Sequence, residues 1–273
     1  MEKQFISIRW GTKYGPEYLD RLYGMVARHT TGPFTFWCLT DRPEGIRPEV
    51  RCLPLPEMGC AMPKNTKGIW GKSRLWLPDL GAPGQPGPRG PVLFMDLDLV
   101  VTGSLDAFFE HGDPDDVILA RNPNTPFEKL GQTSIFRYPV GKLAPLREKF
   151  LADPQGTADE YRFEQRFVTR NAPGGVKFWP RGWVAHFRMH CVPNFPLNYV
   201  AAPRLAPDTR VVIFPGDLNP PDAIAGRWSD ADPVQRPLEH LAAGFRGERR
   251  ETLWKHLRHY NRPAPWVADH WKA

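Results

Sequence analysis

Two aspartates separated by one residue, Asp96 and Asp98, are the strongest chemical signal in this sequence. They end an apolar run, residues 91–95, that is typical of a buried strand. In an extended backbone residues i and i+2 point to the same side, so the pattern predicts two carboxylates that face one way. Such a pair is costly to desolvate unless a cation lies beside it, and a divalent metal that holds a phosphate is the natural partner. A strand that ends in a solvated acidic turn is the alternative.

Two cationic side chains that could bind a diphosphate lie upstream of this pair. Lys72 and Arg74 fall within a helix predicted between Gly68 and Leu80, and ammonium and guanidinium groups suit phosphate oxygens. The alternative is a solvated face of that helix. Neither a G-x-G-x-x-G loop nor a P-loop occurs, so a nucleotide would be held through a metal and side chains.

Histidines and an acidic–amide pair supply further candidates. His186 and His190 have the i, i+4 spacing of a helical zinc site. The prolines around them argue against a helix, so a histidine that supports a phosphate or the metal is the better interpretation. Glu164 and Gln165 fall on a predicted helix and could reach a sugar hydroxyl, with ordinary surface residues as the alternative.

The elements that must position these residues begin with a strand–helix–strand unit. Residues 5–9 and 34–39 are predicted strands, and a helix from Pro16 with apolar residues at helical spacing lies between them. Further strands are predicted over residues 50–53 and 91–101. This order predicts a parallel sheet, which binds ligands at the carboxyl ends of its strands.

The second half of the sequence predicts shorter elements. Strands are expected at residues 117–120, 133–137, 183–187 and 210–214. Helices are expected from Ser104, as an N-cap, through Phe109, and over Ala158–Thr169 and Glu248–Tyr260. No linker or domain boundary is evident, so one domain over residues 1–273 is predicted.

Composition limits the class of protein. The 273 residues are 41% hydrophobic and 24% charged, which is typical of a soluble globular protein. The sequence shows no signal peptide, no apolar run of the roughly 20 residues that span a membrane, and no zinc spacing among its four cysteines, so a cytoplasmic location is predicted. A net charge of +6 favours a polyanionic partner. The basic residues are scattered, which argues against nucleic acid but allows peripheral contact with an anionic membrane.

Several segments follow one another in a recognisable order. They are FISIRWGTKYG, FTFWCLTD, KSRLWLPDL, VLFMDLDLVVTGSLDAFF, FEQRFV, WPRGWVAHFRMHC, VVIFPGDLNPPDAI and PAPWVADHW. In this order they resemble bacterial glycosyltransferases of the GT-A type, most of all the family-8 group that uses nucleotide diphosphate sugars. The resemblance implies a single α/β, GT-A-like domain with a mixed, mostly parallel sheet flanked by helices. Residues 1–110 would form a Rossmann-like half that binds the nucleotide sugar, and residues 111–273 an acceptor-side half with a C-terminal helix.

The resemblance also implies a metal site. Asp96 and Asp98 would hold Mn²⁺ or Mg²⁺ against the donor diphosphate. Relatives carry a histidine in the late loop, which here is residues 214–220 and has none. His190 or His186 would replace that ligand, or water would.

The remaining implied roles concern the donor sugar. Trp10 and Tyr14 would lie near the base and ribose, Arg74 and Lys72 would neutralise phosphate, and Gly216 would belong to the late nucleotide-binding loop. Glu164 and Gln165, which match an acidic–glutamine element of the family, would lie near the anomeric carbon as the catalytic pair.

These roles imply a metal-dependent glycosyltransferase that moves a sugar from a UDP-linked donor to the hydroxyl of a glycan, lipid or small-molecule acceptor. The resemblance to family 8 implies retention of configuration. Attack from the leaving-group face is the expected route, because no well-placed nucleophile is evident. A non-catalytic nucleotide-sugar-binding protein on the same fold is one alternative, motivated by the altered late loop. A haloacid-dehalogenase-like phosphatase with Asp96 as nucleophile is another, although that motif usually opens a domain.

Overall fold

A computed structural model describes residues 2–64, 70–125, 127–248 and 251–273. It confirms the predicted α/β class with a mixed, mostly parallel sheet and helices. The chain divides into two compact units. The first, here called the sheet unit, comprises residues 1–23, 30–97 and 105–180, and the second, the C-terminal unit, comprises residues 24–29, 98–104 and 181–273. Met1, at the start of the predicted single domain, lies outside the described residues.

The bounds of the elements are as follows. The strands are β1 (Lys3–Arg9), β2 (Phe34–Thr40), β3 (Val50–Pro54), β4 (Pro91–Met95), β5 (Val100–Val101), β6 (Val117–Arg121), β7 (Gly131–Pro139), β8 (Val176–Phe178), β9 (Val184–His186) and β10 (Val211–Ile213). The α-helices are α1 (Pro16–His29), α2 (Asp106–Glu110), α3 (Ala144–Ala152), α4 (Pro154–Tyr161), α5 (Glu164–Asn171), α6 (Pro220–Ala225), α7 (Pro237–Arg246), α8 (Leu253–Arg258) and α9 (Pro265–His270). Short 3₁₀ helices span Trp70–Trp76 and Leu197–Tyr199, and a π-helical turn spans Phe187–Cys191.

The sheet unit is built on seven strands in the order β3-β2-β1-β4-β7-β6-β8. Within the group β3, β2, β1 and β4, each strand is parallel to the next. Strand β7 is antiparallel to both β4 and β6. Strands β1, β2 and β4 are almost wholly buried, which is why they appear in the sequence as apolar runs rather than as alternating patterns. The predicted strands at residues 5–9, 34–39 and 50–53 are confirmed.

Aromatic packing fixes the 3₁₀ helix that follows the third strand. Trp70 stacks on Phe150 with ring centroids 5.0 Å apart, and Trp76 packs against Phe150 and Phe167 at 6.0 and 5.5 Å. Both tryptophans are fully buried, and each large apolar side chain buried in this way contributes roughly 1.5–3 kcal/mol. The helix predicted between Gly68 and Leu80 is therefore a short, firmly packed 3₁₀ helix, and Gly68 lies outside the described residues.

The run predicted as one strand over residues 91–101 is divided. Strand β4 ends at Met95, a turn follows at residues 97–98, and β5 begins at Val100. The expectation that Asp96 and Asp98 share one side of an extended strand is wrong, because the extended backbone ends before the first of them. An apolar run shows that a strand is buried, but it does not fix where the strand stops.

Three predicted helices also differ from the structure. The helix expected over Ala158–Thr169 is broken at Arg162, where φ is +61°, so that α5 starts anew at Glu164. Leu105 rather than Ser104 is the N-cap of α2. The helix expected over Glu248–Tyr260 is limited to α8, with residues 249–250 outside the described chain, and α9 follows it.

The C-terminal unit has its own small sheet. Strand β10 lies between β5, to which it is antiparallel, and β9, to which it is parallel. Phe187 and Phe214 stack at 4.9 Å beside this sheet, and α6 packs on α9 while α7 packs on α8. Within the described ranges, no helix has the length and apolarity needed to cross a bilayer.

Candidate functional site

Polar and aromatic residues collect at one edge of the seven-stranded sheet. Because β1, β2 and β4 are parallel, the residues that follow them, Trp10, Asp41 and Asp96, lie at the same edge. The backbone N–H of Gly11 donates to the Asp41 carboxylate at 3.1 Å, which ties the first two loops together. Antiparallel β7 begins at this edge, and the Asp96 N–H donates to the carbonyl of Ser134 at 2.8 Å. These hydrogen bonds therefore connect the loops at this edge to one another and to β7.

A buried lysine holds the first aspartate of the predicted pair. The Nζ atom of Lys72 lies 2.7 Å from Oδ1 and 2.9 Å from Oδ2 of Asp96, and it donates to the carbonyl of Thr133 at 3.0 Å. The Lys72 side chain is 6% exposed and that of Asp96 is 24% exposed. The cation is thus inside the protein, and the carboxylate it pairs with keeps an open side.

The network continues through a threonine to a second carboxyl group. The Thr133 hydroxyl donates to Oε2 of Glu164 at 2.8 Å, and Oε1 of Glu164 has no hydrogen-bond partner among the described residues. Burial raises the pKa of Glu164 to about 7, while the Lys72 ammonium opposes that shift and the Asp96 carboxylate adds to it. Glu164 is therefore a group that changes charge near neutral pH beside a fixed ion pair.

The predicted phosphate-binding arginine lies two residues further along the same 3₁₀ helix. Arg74 donates from Nε to the carbonyl of Pro56 at 2.7 Å and from Nη1 to that of Gly71 at 3.3 Å. A Cβ atom added to Gly71 would lie 3.2 Å from Nη1 of Arg74 and 3.3 Å from Cζ2 of Trp10. Glycine at position 71 therefore allows the indole and the guanidinium to approach one another. Burial lowers the pKa of Arg74.

The loop after β1 is held by its own strand. Arg9, which is buried, donates from Nε to the carbonyl of Tyr14 at 3.1 Å. The Tyr14 ring packs on Tyr18 at 4.8 Å and lies under the Lys13 ammonium at 4.7 Å. Trp10 is 38% exposed, so an aromatic face remains accessible at the sheet edge.

Gln165 lies next to Glu164 in the first turn of α5 and is half-buried. Its backbone carbonyl accepts a hydrogen bond from the Thr169 hydroxyl at 2.6 Å. The break at Arg162 begins a new helix here, so the acidic–glutamine pair sits at a helix start. Gln165 belongs to the sheet unit, as do Lys72, Arg74 and Asp96.

The two histidines of the sequence belong to the C-terminal unit and do not share a helix face. His186 ends β9, His190 lies in the π-helical turn, and Nδ1 of His190 accepts a hydrogen bond from the backbone N–H of His186 at 2.9 Å. Burial, together with neighbouring His190 and Arg188, lowers the pKa of His186 to about 4, and burial lowers that of His190. The α-helical geometry that a zinc pair at this spacing needs is not present.

Gly216 and Asp98 also belong to the C-terminal unit. Gly216 has φ +96°, and a Cβ atom there would lie 3.7 Å from Nη1 of Arg188. Arg188 stacks over Trp228 at 4.5 Å and donates to its carbonyl at 2.7 Å. Arg188, Asp217 and Trp228 contribute to the lining of a cavity of about 480 Å³ within this unit. The roles predicted for Asp98, His190 and Gly216 stay predictions.

The contacts of Asp96 test whether the predicted divalent cation fits. Both of its oxygens already contact an ammonium group, and a second cation at the same carboxylate would be repelled by the first. In the part of the chain that the structure describes, no group of three or more His, Cys, Asp or Glu side chains is arranged to hold a metal ion. The described residues therefore do not fit a preformed Mn²⁺ or Mg²⁺ site.

One member of the network was not found from the sequence. Thr133 connects Lys72 with Glu164, yet it was predicted only as the first residue of a strand. The available signal is a run of three polar residues, 132–134, at the start of a predicted strand, and the structure shows all three buried. Buried polar groups need hydrogen-bond partners, so such a run indicates a polar network.

Comparison with known proteins gives a match at the level of structure alone. No protein-family model and no curated protein matches the sequence. An active-site glutamine-to-glutamate mutant of LgtC has a TM-score of 0.57 at 14% identity, covering 93% of this chain and 99% of that chain. The galactosyltransferase LgtC in complex with donor and acceptor sugar analogues has a TM-score of 0.56 at 14% identity with the same coverage. The glycosyltransferase GlyE of Streptococcus pneumoniae has a TM-score of 0.55 at 12% identity, covering 94% of this chain and 63% of that chain. The chain therefore shares the fold of these glycosyltransferases, as the resemblance of its segments predicted.

Proposed function

We propose that this protein is a glycosyltransferase that moves a sugar from a UDP-linked donor to an acceptor hydroxyl. The observation that carries the proposal is the fold, which matches the galactosyltransferase LgtC over 93% of this chain and 99% of that chain. LgtC was crystallised with donor and acceptor sugar analogues, which supports a donor site and an acceptor site here. Residues 1–110 would bind the donor, and residues 111–273 would bind a glycan, lipid or small-molecule acceptor.

The sheet edge suits a nucleotide diphosphate. The exposed indole of Trp10 offers a flat apolar surface to a base, with Tyr14 nearby in the same loop. The Arg74 guanidinium is suited to a diphosphate because its planar donors match phosphate oxygens. The open side of the Asp96 carboxylate can accept hydrogen bonds from donor hydroxyls. Gly216, by the family resemblance, would approach the phosphates from the late loop.

The buried network defines what Glu164 can do. Its side chain has no exposed surface, which favours a role behind the site over direct attack on the donor. We assign it a positioning role, through Thr133, on the Lys72–Asp96 pair. Gln165, half-buried at the start of α5, is the group assigned to the anomeric centre, and the active-site glutamine of LgtC supports that assignment.

The reaction follows from these placements. The bond between the anomeric carbon and the diphosphate oxygen breaks, and cations such as Arg74 stabilise the negative charge that develops on the leaving group. The acceptor oxygen bonds to the anomeric carbon, and its proton passes to the departing phosphate on the same face. Retention is proposed from the family resemblance, and same-face attack is proposed over a covalent intermediate because the side chain of Glu164 is buried.

The two alternatives differ in how well they suit the fold. The phosphatase alternative loses its basis, because β4 is the fourth strand of its sheet and is flanked by antiparallel β7. The non-catalytic alternative shares the proposed donor site, so turnover separates it from the main proposal. Cytoplasmic location and peripheral membrane contact stay predictions.

Release of UDP from a panel of UDP-sugars tests the proposal. We expect the wild-type protein to release UDP from at least one of them, and Asp96→Asn to lower the rate by about 100-fold or more. Asp115→Asn is the matched control, because Asp115 also pairs with a lysine, Lys142, but is 70% exposed. UDP binding without turnover of any donor or acceptor would favour the non-catalytic alternative. Equal rates for Asp96→Asn and wild type would contradict the site.

A further inference from the structure

The Lys72 amine is surrounded by as many acceptors as an ammonium group can serve. Its Nζ atom contacts Oδ1 and Oδ2 of Asp96 at 2.7 and 2.9 Å and the Thr133 carbonyl at 3.0 Å. An ammonium group donates three hydrogens, whereas a neutral amine would donate two. The three acceptors thus match a protonated lysine whose donors are all engaged inside the protein.

Lys72 is also held in place. It lies in the middle of the Trp70–Trp76 helix, whose two tryptophans are buried against Phe150 and Phe167. Its Nζ atom lies 5.0 Å from the centre of the Phe94 ring, and the whole residue is 5% exposed. These contacts place the Lys72 ammonium against the carboxylate of Asp96 inside the protein.

We infer that the Lys72 ammonium is a built-in counter-ion of Asp96 and that this protein binds a nucleoside diphosphate without a divalent cation. The inference rests on the proposed function, and it replaces the metal that the sequence pattern predicts. A divalent ion at a D-x-D pair neutralises carboxylates that would otherwise repel each other and the phosphates. Here Lys72 already neutralises Asp96, so that carboxylate does not need a metal ion as its counter-ion.

Charge accounting in the sheet unit agrees with this inference. The Lys72–Asp96 pair has no net charge, and Arg74 on the same 3₁₀ helix adds one positive charge. The opposite charges of Asp41 and Arg147 near Arg74 offset each other. A diphosphate therefore meets a site in which the aspartate does not repel it. A divalent ion would have to share Asp96 with an ammonium group already at contact distance, and the two cations would repel each other.

Calorimetric titration with UDP, in EDTA and then in excess Mn²⁺, tests the inference. We expect the wild-type dissociation constants in the two solutions to differ by less than about threefold. Lys72→Met keeps the length of the side chain and removes its charge, which leaves Asp96 available to a metal. We expect Mn²⁺ to tighten UDP binding to that variant by about tenfold or more. Lys142→Met, which removes a half-buried lysine that pairs with the exposed Asp115, is the control and is expected to behave as wild type.

The outcomes separate this inference from the proposed function. Wild-type binding that needs Mn²⁺, or that becomes about tenfold tighter with it, would overturn the inference and leave the proposed function standing. No binding of UDP in either solution would overturn the proposed function.

Direct binding of Mn²⁺, followed by its electron paramagnetic resonance signal without nucleotide, gives a second measurement on the wild type alone. It does not depend on whether Lys72→Met folds. We expect the signal of free Mn²⁺ to persist at stoichiometric protein. Uptake of one ion that is lost in Asp96→Asn would overturn the inference.

Discussion

Two aspartate–cation pairs in this protein are buried in opposite ways. In the sheet unit the Lys72 side chain is 6% exposed and that of Asp96 is 24% exposed. In the C-terminal unit the order is reversed, because the Asp222 side chain is 1% exposed and that of Arg227 is 30% exposed. Asp222 also accepts a hydrogen bond from the backbone N–H of Asn219 at 2.9 Å and completes the capping box of α6.

The difference distinguishes a carboxylate that supports the fold from one that is open to a ligand. Both oxygens of Asp222 are engaged, Oδ1 by Arg227 at 2.6 Å and Oδ2 by the helix start, and the residue has almost no accessible surface. Asp96 receives its cation from the interior and keeps its other side accessible. The proposed donor site requires an accessible carboxylate such as Asp96, whereas the buried carboxylate of Asp222 supports the start of α6.

Removing the structural carboxylate should have the largest effect on stability. Asp222→Ala should lower the free energy of unfolding by about 3 kcal/mol, because a buried ion pair and a helix cap are lost together. Urea unfolding at neutral pH measures the change. Asp230→Ala, at an exposed position of the same unit, is the control and should change stability by less than about 0.5 kcal/mol. If Asp222→Ala lowers the free energy of unfolding by less than about 1 kcal/mol, the Asp222–Arg227 pair does not support the fold as described.

The two units should respond to pH in opposite directions. Burial raises the pKa of Glu164 from 4.5 to about 7, so the stability it contributes is complete below pH 4.5 and is lost as the pH rises through about 7. Burial lowers the pKa of His186 and of His240 from 6.5 to about 4, so their contribution is complete above pH 6.5 and is lost as the pH falls through about 4.

Glu164→Gln isolates the first of these effects. The variant cannot ionise, so it should be more stable than wild type by about 2 kcal/mol near pH 8 and equally stable near pH 5. Calorimetric melting at the two pH values measures this. The loss of stability that the histidines cause as the pH falls below 6.5 should be the same in wild type and variant, and it serves as the internal reference. If the melting temperature of wild type, relative to that of the variant, is not lower at pH 8 than at pH 5, Glu164 is not a buried group that is neutral at low pH.

A double-mutant cycle on the open pair should give the smallest energy. We expect Lys72→Met and Asp96→Asn to couple by about 1 kcal/mol. Each single variant leaves one charged partner unpaired, whereas the double variant removes both charges. The exposed pair Lys142–Asp115 is the reference and should couple by less than about 0.5 kcal/mol. Equal coupling in the two cycles would mean that burial of Lys72 adds nothing to its pairing with Asp96.

Local patterns predicted the parts of the fold that local forces decide. The sequence predicts β2 to within one residue and β1 to within two, since strands buried on both faces leave continuous apolar runs. The helix from Pro16 was predicted because proline at a helix start and apolar spacing agree. The break at Arg162 was not predicted, because a positive φ at a non-glycine residue leaves no composition signal.

The site was predicted in its members but not in its connections. Asp96, Lys72 and Glu164 were each singled out from residue type and resemblance, yet their mutual contacts were not foreseen. Lys72 and Thr133 are 61 residues apart, and Thr133 and Glu164 are 31 apart. Contacts at such separations depend on the pairing of β4 with antiparallel β7, which no short pattern specifies.

The same long separations set the order in which this site can form during synthesis. Lys72 and Asp96 leave the ribosome well before Thr133, and Glu164 follows later still. A nascent chain that ends after Thr133 but within β7 therefore contains Lys72, Asp96 and Thr133 but lacks Glu164 of α5, which accepts the hydrogen bond of the threonine hydroxyl. The Lys72–Asp96 contact spans 24 residues and the Lys72–Thr133 contact spans 61, so the complete network costs more loop-closure entropy than the ion pair alone and requires the chain to be made through α5.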